Sequence, residues 1–156
     1  MTVTLRAVED ADLDRFFEHQ CDREAALRVA FTVKDPEDRA AFDDYWVANR
    51  SNPAVLVRTI VAGGDVAGSV VAFDYGGERL VGYWLGRAFW GRGIATAALR
   101  SFLALIEIRP LHARVAKDNL ASLRVLQKCG FAQTGAELGY SYVRGCDVEE
   151  VVLRLD

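Results

Sequence analysis

Gly91 and Gly93 stand where a strand-like run meets a helix-like run, within the segment Trp90–Thr96. Glycine lets the chain turn tightly there, and it lets the backbone approach a ligand closely. The first turn of the following helix offers N–H groups that have no partner inside the helix. Those donors and the positive end of the helix dipole favour an anion, usually a phosphate, and Arg92 adds a fixed positive charge. The spacing therefore predicts a phosphate site.

Three kinds of phosphate site compete for this turn. A P-loop requires a Gly-Lys-Ser/Thr ending, which the sequence lacks. A dinucleotide-binding turn requires a third glycine, and Thr96 stands at that position. The third possibility is a pyrophosphate held by consecutive backbone amides of Gly91–Thr96, with a long thiol-bearing arm along the neighbouring strand.

The elements around this turn follow from periodicity and from the glycine-rich breaks. Three consecutive strands with short loops predict an antiparallel meander that leads into the turn. The predicted strands are Val3–Val8, Ala54–Ala62, Val66–Asp74, Leu80–Gly86, Leu111–Ala116, Ala132–Val143 and Val148–Leu155. Helices and strands alternate irregularly along the chain, which predicts a mixed α/β fold.

The predicted helices flank these strands. Acidic residues from Asp10 onward suit a helix start, and the apolar spacing continues to about Gln20. A short helical piece is expected within Glu24–Val33. Asp35 and the following proline predict another helix, to about Asn49. Two further helices are expected from Ile94 to about Glu107 and from a cap at Asn119 to a terminating Gly130.

Composition limits the function classes. The 156 residues suit a single domain, 1–156, and with 51% hydrophobic and 26% charged residues the chain is not of a disordered type. The net charge of -3 argues against a general nucleic-acid binder, and no apolar run reaches membrane-spanning length. Cys21, Cys129 and Cys146 are irregularly spaced, which favours a reduced cytoplasmic protein with no metal site. A zinc site assembled in space remains the alternative.

Several segments resemble one family. Trp90-Gly91-Arg92-Gly93-Ile94-Ala95 resembles the acetyl-CoA-binding motif of the GNAT acetyltransferase superfamily, Gln/Arg-x-x-Gly-x-Gly/Ala, in which Trp90 replaces the commoner Gln or Arg. The chain also resembles, within this superfamily, the branch that includes the ribosomal-protein N-terminal acetyltransferases. The matching segments are Gly82–Gly86, Phe89–Thr96, Asn119-x-x-Ser122, Lys128–Phe131 and Leu5–Asp12. One departure is Thr96-Ala97-Ala98, where relatives often have Thr-Glu-Ala.

The resemblance implies a fold and a coenzyme site. The fold is a mostly antiparallel twisted sheet of six or seven strands, splayed after the fourth and flanked by about four helices. The splayed strand offers backbone groups to the pantetheine arm, and one strand N–H polarises the thioester carbonyl. The implied coenzyme contacts are Tyr83, Leu85, Trp90, Gly91, Arg92, Gly93, Ile94, Ala95, Thr96 and Asn119. Ser122 is implied as the acid that protonates the leaving thiolate, the alternative being a place in the helix cap.

The sequence does not single out one residue as the general base. An amine acceptor must lose a proton before it attacks, so a base or a water chain is expected. Glu78, which precedes the central strand, is the first candidate. Packing or surface roles compete with catalysis for all of the candidates, which also include Glu137, Tyr140, Tyr142, His19 and His112.

The expected function is acetyl-CoA-dependent N-acetyl transfer to a primary amine of a small molecule or a protein N-terminus. The resemblance implies a monomer or a homodimer, and the net charge and the lengths of the apolar runs argue against nucleic acid or a membrane as partner. The acidic segment Asp35–Asp44 either attracts a cationic amine or is a solvated helix face. The alternative function is a non-catalytic acyl-CoA sensor or interaction module on the same fold, because position 97 lacks the acid and the sequence shows no obvious base.

Overall fold

The structure is a computed structural model that describes all residues, 1–156. Seven strands form one sheet in the order β1-β2-β3-β4-β5-β7-β6. The strands are β1 (Val3–Arg6), β2 (Leu56–Ala62), β3 (Asp65–Tyr75), β4 (Glu78–Leu85), β5 (Leu111–Ala116), β6 (Ala132–Ser141) and β7 (Cys146–Leu155). The helices are α1 (Asp12–Gln20), α2 (Arg23–Val29), α3 (Arg39–Ser51), α4 (Ile94–Leu103) and α5 (Leu120–Lys128).

The sheet opens between its fourth and fifth strands. Every neighbouring pair is antiparallel except β4 and β5, which run parallel. Only one register pair, Leu80 with His112, joins these two strands. Beyond Leu80 the edge of β4 that faces β5 is therefore available for hydrogen bonds with an extended ligand. This arrangement confirms the mostly antiparallel sheet, splayed after its fourth strand, that the resemblance implies.

Both faces of the sheet carry apolar clusters, because side chains alternate along a strand. In β3, Val70 belongs to a larger cluster covered by α4 and α5, whereas the next residue, Val71, packs against a smaller cluster. Phe16 of α1 and Phe42 and Trp46 of α3 build this smaller cluster. The helix that follows the glycine turn and the N-terminal helices consequently lie on opposite faces of the sheet.

Helix α3 begins later than the sequence suggested. Its cap is Asp38, whose side chain accepts a hydrogen bond from Ala41 N at 3.0 Å, and its first residue is Arg39. Asp35, the predicted cap, accepts instead from Glu37 N at 3.2 Å and makes a separate turn. Both aspartates suit a cap, but only Asp38 reaches an amide in the first turn of the helix.

Two other helix boundaries differ from the expected ones. The short helical piece expected within 24–33 is a regular helix, α2, so the fold has five helices where about four were implied. It ends before Ala30, whose φ of 67° cannot continue a helix. Helix α4 ends at Leu103 rather than near Glu107. After it, Leu105 N and Ile106 N donate to carbonyls three residues earlier, at 3.0 and 3.2 Å, so the chain continues as turns and not as an α-helix. None of the five helices combines the length and apolarity that a membrane crossing requires.

A buried carboxylate joins β1, α1 and β2. Asp12 is 2% exposed and accepts hydrogen bonds from both Arg6 guanidinium nitrogens at 2.7 and 2.8 Å. It also accepts from Glu9 N at 2.9 Å and from Thr59 Oγ1 at 2.7 Å. Burial alone would raise the pKa of Asp12, but these hydrogen bonds outweigh it and lower the pKa to about 2.

The low pKa of Asp12 predicts an acid-sensitive contribution to stability. An ordinary aspartate has a pKa near 3.8, so the native shift adds about 2 kcal/mol to the unfolding free energy at neutral pH. This contribution is lost as the pH falls from about 4 to about 2, because the unfolded chain binds the proton first. Urea titrations of the wild type and of Asp12→Asn are expected to converge by that amount over this range; a constant difference would contradict the assignment.

Candidate active site

The glycine turn has the geometry of an anion cradle. Gly91 and Gly93 adopt positive φ values of 70° and 76°, which non-glycine residues rarely adopt. Gly93 is the N-cap of α4 and provides no side-chain cap. The first intrahelical hydrogen bond joins Ala97 N to Gly93 O at 3.2 Å, so the amides of Ile94–Thr96 have no partner within the helix. They are free to bind an anion at the positive end of the helix.

Trp90 holds this turn against the end of β4. Its indole Nε1 donates to Leu85 O at 2.9 Å. The guanidinium of Arg28, from α2, lies over the indole ring at 5.1 Å from its centroid. The tryptophan that replaces the commoner motif residue therefore connects the strand, the turn and an N-terminal helix.

A cavity of about 680 Å³ extends from the glycine turn into the opening between β4 and β5. It contains most of the residues predicted for coenzyme binding and catalysis. Those that line it are Tyr83, Leu85, Trp90, Gly91, Gly93, Ile94, Ala95, Thr96, Asn119 and Ser122. We call this space the donor cavity.

Two hydroxyls meet in the donor cavity. Asn119 caps α5 and accepts a hydrogen bond from Ser122 N at 3.3 Å, as expected from its position. Ser122 Oγ lies 3.0 Å from the Tyr83 hydroxyl of β4. Burial raises the pKa of Tyr83, and the hydrogen bond with Ser122 only partly opposes this, so the phenol is neutral at pH 7. The pair can therefore donate a proton toward the cavity.

The Arg92 side chain does not line the donor cavity. Its guanidinium lies over the Phe89 ring at 5.8 Å and within 3.6 Å of Met1 Sδ. The backbone of the turn directs this side chain away from the space in front of the helix. The cationic side chains that do line the donor cavity come from other parts of the chain.

Four cations line the donor cavity, and no Asp or Glu does: Arg28, Arg114, Arg124 and Lys128. None of the four was predicted from the sequence as a site residue. Arg124 and Lys128 are four residues apart on α5 and hence on one face, a spacing that could have indicated a basic patch. Arg28 gave no such signal, because its position depends on the packing of α2.

Glu78, the first candidate base, lies away from this region. It begins β4, five residues before Tyr83, which corresponds to roughly 16 Å of strand. It lines neither the donor cavity nor the cavity described next. Its carboxylate lies 3.9 Å from His112 Nε2. The structure therefore does not bring Glu78 together with Ser122, although both were predicted to be catalytic.

A second cavity of about 490 Å³ lies under α1 and α3, and we call it the acceptor cavity. It shares Phe31, Gly82, Tyr83 and Trp84 with the donor cavity, so the two spaces meet at the middle of β4. Its aromatic lining consists of Phe16, Phe31, Phe42, Tyr45, Trp46, Tyr83 and Trp84. Its charged lining residues are the two acids Asp35 and Asp38, and it has no Lys or Arg.

His19 lines the acceptor cavity and has the properties of a base. Its Nδ1 is buried and has no hydrogen-bond partner in the protein. Its Nε2 packs on the backbone after β4, so closely that a side chain at Gly86 would lie 2.6 Å away. Burial lowers the pKa of His19 and outweighs nearby Glu18 and Asp22, so the imidazole is neutral at pH 7. Trp84 Nε1 is likewise buried without a partner.

Phe31 lies where the two cavities meet, and contacts with β6 and the turn between β6 and β7 fix its position. Ala30, which precedes it, is fully buried with a φ of 67°, and its carbonyl accepts a 2.6 Å hydrogen bond from Ser141 Oγ. The ring packs on the backbone of β6, where a side chain at Gly139 would approach it to 2.9 Å. Arg144 donates to two carbonyls at the end of α2 at 2.8 and 3.3 Å. The hairpin of β6 and β7 therefore positions Phe31.

Comparison with solved structures establishes the fold. Spermidine N-acetyltransferase from Vibrio cholerae, solved with CoA and spermine, superimposes with a TM-score of 0.83 at 17% identity over 98% of this chain and 94% of that chain. RimJ from Mycobacterium smegmatis, solved with a CoA disulfide, gives 0.78 at 24% identity over 98% and 81%. RimL, a ribosomal L7/L12 N-acetyltransferase solved with CoA, gives 0.79 at 19% identity over 100% and 96%.

The family follows from the sequence match. Residues 2–132 match the acetyltransferase (GNAT) domain family, which covers most of the chain, including the glycine turn and all of α5. A search of curated protein sequences gave no significant match. No group of three or more His, Cys, Asp or Glu side chains is placed to hold a metal ion. The matched segment, the splayed sheet and the shared fold together show that the chain belongs to the GNAT acetyltransferase family.

Proposed function

We propose that this protein is an acetyl-CoA-dependent N-acetyltransferase that transfers the acetyl group directly to a primary amine, with residues 1–156 acting as one domain. One observation supports this most strongly. The donor cavity contains only cationic charged residues and the acceptor cavity only acids and a neutral histidine, yet the two meet at Gly82–Trp84 of β4. A phosphate-bearing donor and a cationic acceptor would thus meet end to end.

Coenzyme binding would use the backbone of the turn and of the splayed strand. The amides of Ile94–Thr96 are available for the pyrophosphate, and Arg28, Arg124 and Lys128 add positive charge around it. The pantetheine arm would add to the open edge of β4 beyond Leu80, with main-chain hydrogen bonds supplying the affinity. An N–H of this edge would then polarise the thioester carbonyl, as in an oxyanion hole.

The proposed chemistry needs one base and one acid. His19 would accept a proton from the bound ammonium, whose own pKa is lowered by the same apolar surroundings. The amine nitrogen would then bond to the thioester carbon, and collapse of the tetrahedral intermediate would break the C–S bond while the nitrogen loses its second proton to solvent. Ser122, paired with Tyr83, would give a proton to the leaving thiolate and recover it from solvent. No covalent enzyme intermediate is involved.

A direct assay tests the function. The protein with acetyl-CoA and a panel of primary amines is expected to release free thiol and to form the acetylated amine in equal amounts, the product being identified by mass spectrometry. Tight acetyl-CoA binding without turnover of any amine would instead favour the non-catalytic sensor. Thiol release without acetylated amine would be hydrolysis and would contradict the proposed acceptor step.

The hydroxyl pair gives a sharper prediction. Ser122→Ala is expected to lower kcat by on the order of 10²-fold, with a much smaller change in the acetyl-CoA Kd, because the proton donor acts on the leaving group. Tyr83→Phe is expected to have a smaller effect, since Ser122 would remain. Ser101→Ala, an exposed serine on α4 that lines neither cavity, is the matched control. An unchanged kcat in Ser122→Ala would remove Ser122 from the mechanism.

A further inference from the structure

We propose that the acceptor is an arylalkyl amine: a primary ammonium on an aromatic body, with no carboxylate or phosphate. This inference rests on the proposed acetyl transfer and names the substrate class of the acceptor cavity. It is carried by three features of the lining: its aromatic surface, the signs of its charges, and a buried imidazole nitrogen that has no hydrogen-bond partner.

The aromatic surface is already assembled in the protein. Trp46 lies 4.9 Å from Phe16, 6.1 Å from Phe42 and 5.7 Å from Tyr45, measured between ring centroids. Phe16, Phe42 and Trp46 also belong to one buried cluster, which fixes their positions. A rigid wall of rings favours a flat apolar body, because aromatic groups gain from edge and offset contacts beyond simple burial. The volume of about 490 Å³ suits a small molecule.

The charges select a cation and reject an anion. Asp35 and Asp38 are the only Asp or Glu residues in the lining, and both are exposed, so they face solvent and would draw an ammonium toward the cavity. The nearby cation Arg39 is committed to Asp14 and Asp43, each at 2.9 Å, and to the ring of Phe42. A carboxylate or phosphate on the acceptor would therefore be desolvated without a partner, which is strongly unfavourable.

The lining has one unpartnered buried nitrogen that can accept a hydrogen bond from an ammonium, His19 Nδ1, because the indole N–H of Trp84 can only donate. Among the buried side-chain nitrogens and oxygens of the lining, only His19 Nδ1 and Trp84 Nε1 have no hydrogen bond within the protein. His19 packs against Gly86, just after β4, and Trp84 lies on β4 where the two cavities meet. Asp35 and Asp38 are three residues apart on one loop, so the aromatic wall offers no further carboxylate along its length. A long polyamine would have to desolvate its inner ammonium groups against this wall.

Matched amines test the inference. Phenethylamine, phenylalanine, ethylamine and spermidine are each tested with acetyl-CoA. The kcat/KM for phenethylamine is expected to exceed that for phenylalanine by roughly 10²-fold or more, since the two differ by one carboxylate. It is expected to exceed that for ethylamine by roughly 10-fold to 100-fold, because the ring is buried. A higher kcat/KM for phenylalanine or spermidine would overturn the acceptor class while leaving N-acetyl transfer intact.

Charge variants test the same inference from the protein side. Asp35→Asn with Asp38→Asn keeps the turn and the helix cap, since asparagine caps as well as aspartate. It is expected to lower the phenethylamine kcat/KM by about 10-fold and to reduce the discrimination against phenylalanine. Asp44→Asn, on α3 but outside both cavities, is the control. An equal loss in the control, or none in the double variant, would show that the acids do not select the charge.

A binding measurement separates this inference from the proposed function. Calorimetric titration of phenethylamine and phenylalanine into the protein–CoA complex reports the cavity preference without turnover. Preferential binding of phenethylamine with no acetylation of any amine would support the acceptor class and contradict the transferase. Acetylation of amines combined with equal binding of the two compounds would support the transferase and contradict the acceptor class.

Discussion

Gly93→Trp is expected to weaken acetyl-CoA binding by at least about 100-fold, the largest effect anticipated for a single change in the coenzyme site. Gly93 is the N-cap of α4, and the indole would project into the space in front of the amides of Ile94–Thr96. No atom lies within 4 Å of the position of a Cβ at this glycine, so the side chain would occupy the cavity and not the core. Calorimetry with acetyl-CoA measures the loss.

A matched glycine separates blocking of the site from backbone strain. Gly77, in the exposed hairpin between β3 and β4, has a φ of 80° against 76° for Gly93, and it also has no neighbour within 4 Å of a Cβ. Tryptophan at either position forces a side chain into the left-handed region, which costs about 1–2 kcal/mol. Gly77→Trp is therefore expected to lose similar stability but to bind acetyl-CoA normally. Normal affinity in Gly93→Trp would contradict the assignment of the glycine turn to the pyrophosphate.

His19→Gln is expected to lower kcat by on the order of 10²-fold to 10³-fold, with acetyl-CoA affinity unchanged. His19 lies outside the donor cavity, so its loss affects the amine and not the coenzyme. Burial lowers the pKa of His19 below its usual value of 6.5. The wild-type kcat/KM should therefore fall as the pH drops through that lowered pKa, because the imidazole becomes protonated and can no longer accept a proton.

The acidic limb of the pH profile is the readout that a purely structural role would not change. It is expected to be absent in His19→Gln. The groups that act on this imidazole are Arg15, Glu18 and Asp22, and Asp22 is paired with Arg87 at 2.9 Å. His112→Gln is the matched control, because His112 lines neither cavity. Retention of the acidic limb in His19→Gln, or its loss in the control, would exclude His19 as the base.

The donor half of the site was largely readable from the sequence. The positive φ values at Gly91 and Gly93, the cap at Asn119 and the placement of Ser122 one turn later depend on residues within a few positions of one another. Such local features follow from backbone sterics and from hydrogen bonds within a single turn, so residue type and spacing suffice to predict them. The roles of these residues toward the coenzyme stay predictions until the variants are measured.

The acceptor half required the fold. Glu78 and His19 were both plausible bases by residue type, yet one lies at the far end of β4 and the other lines the acceptor cavity. Asp35 and Asp38 suit a helix cap equally well by residue type, and only the structure shows that Asp38 is the cap and that α3 begins at Arg39. The direction of a side chain and the choice between competing caps depend on packing against distant elements, which sequence spacing does not contain.

By itself, the sequence determined the family, the mixed sheet and the glycine turn, because these rest on local patterns that keep their meaning in any tertiary context. Only the tertiary structure decided that Arg28 and not Arg92 lines the donor cavity. It also brought together the hydroxyls of Tyr83 and Ser122, which are 39 residues apart in the sequence. It also decided that the β6–β7 hairpin holds Phe31 between the two cavities. These contacts join parts of the chain that are far apart, so they form only when the sheet and its helices pack together.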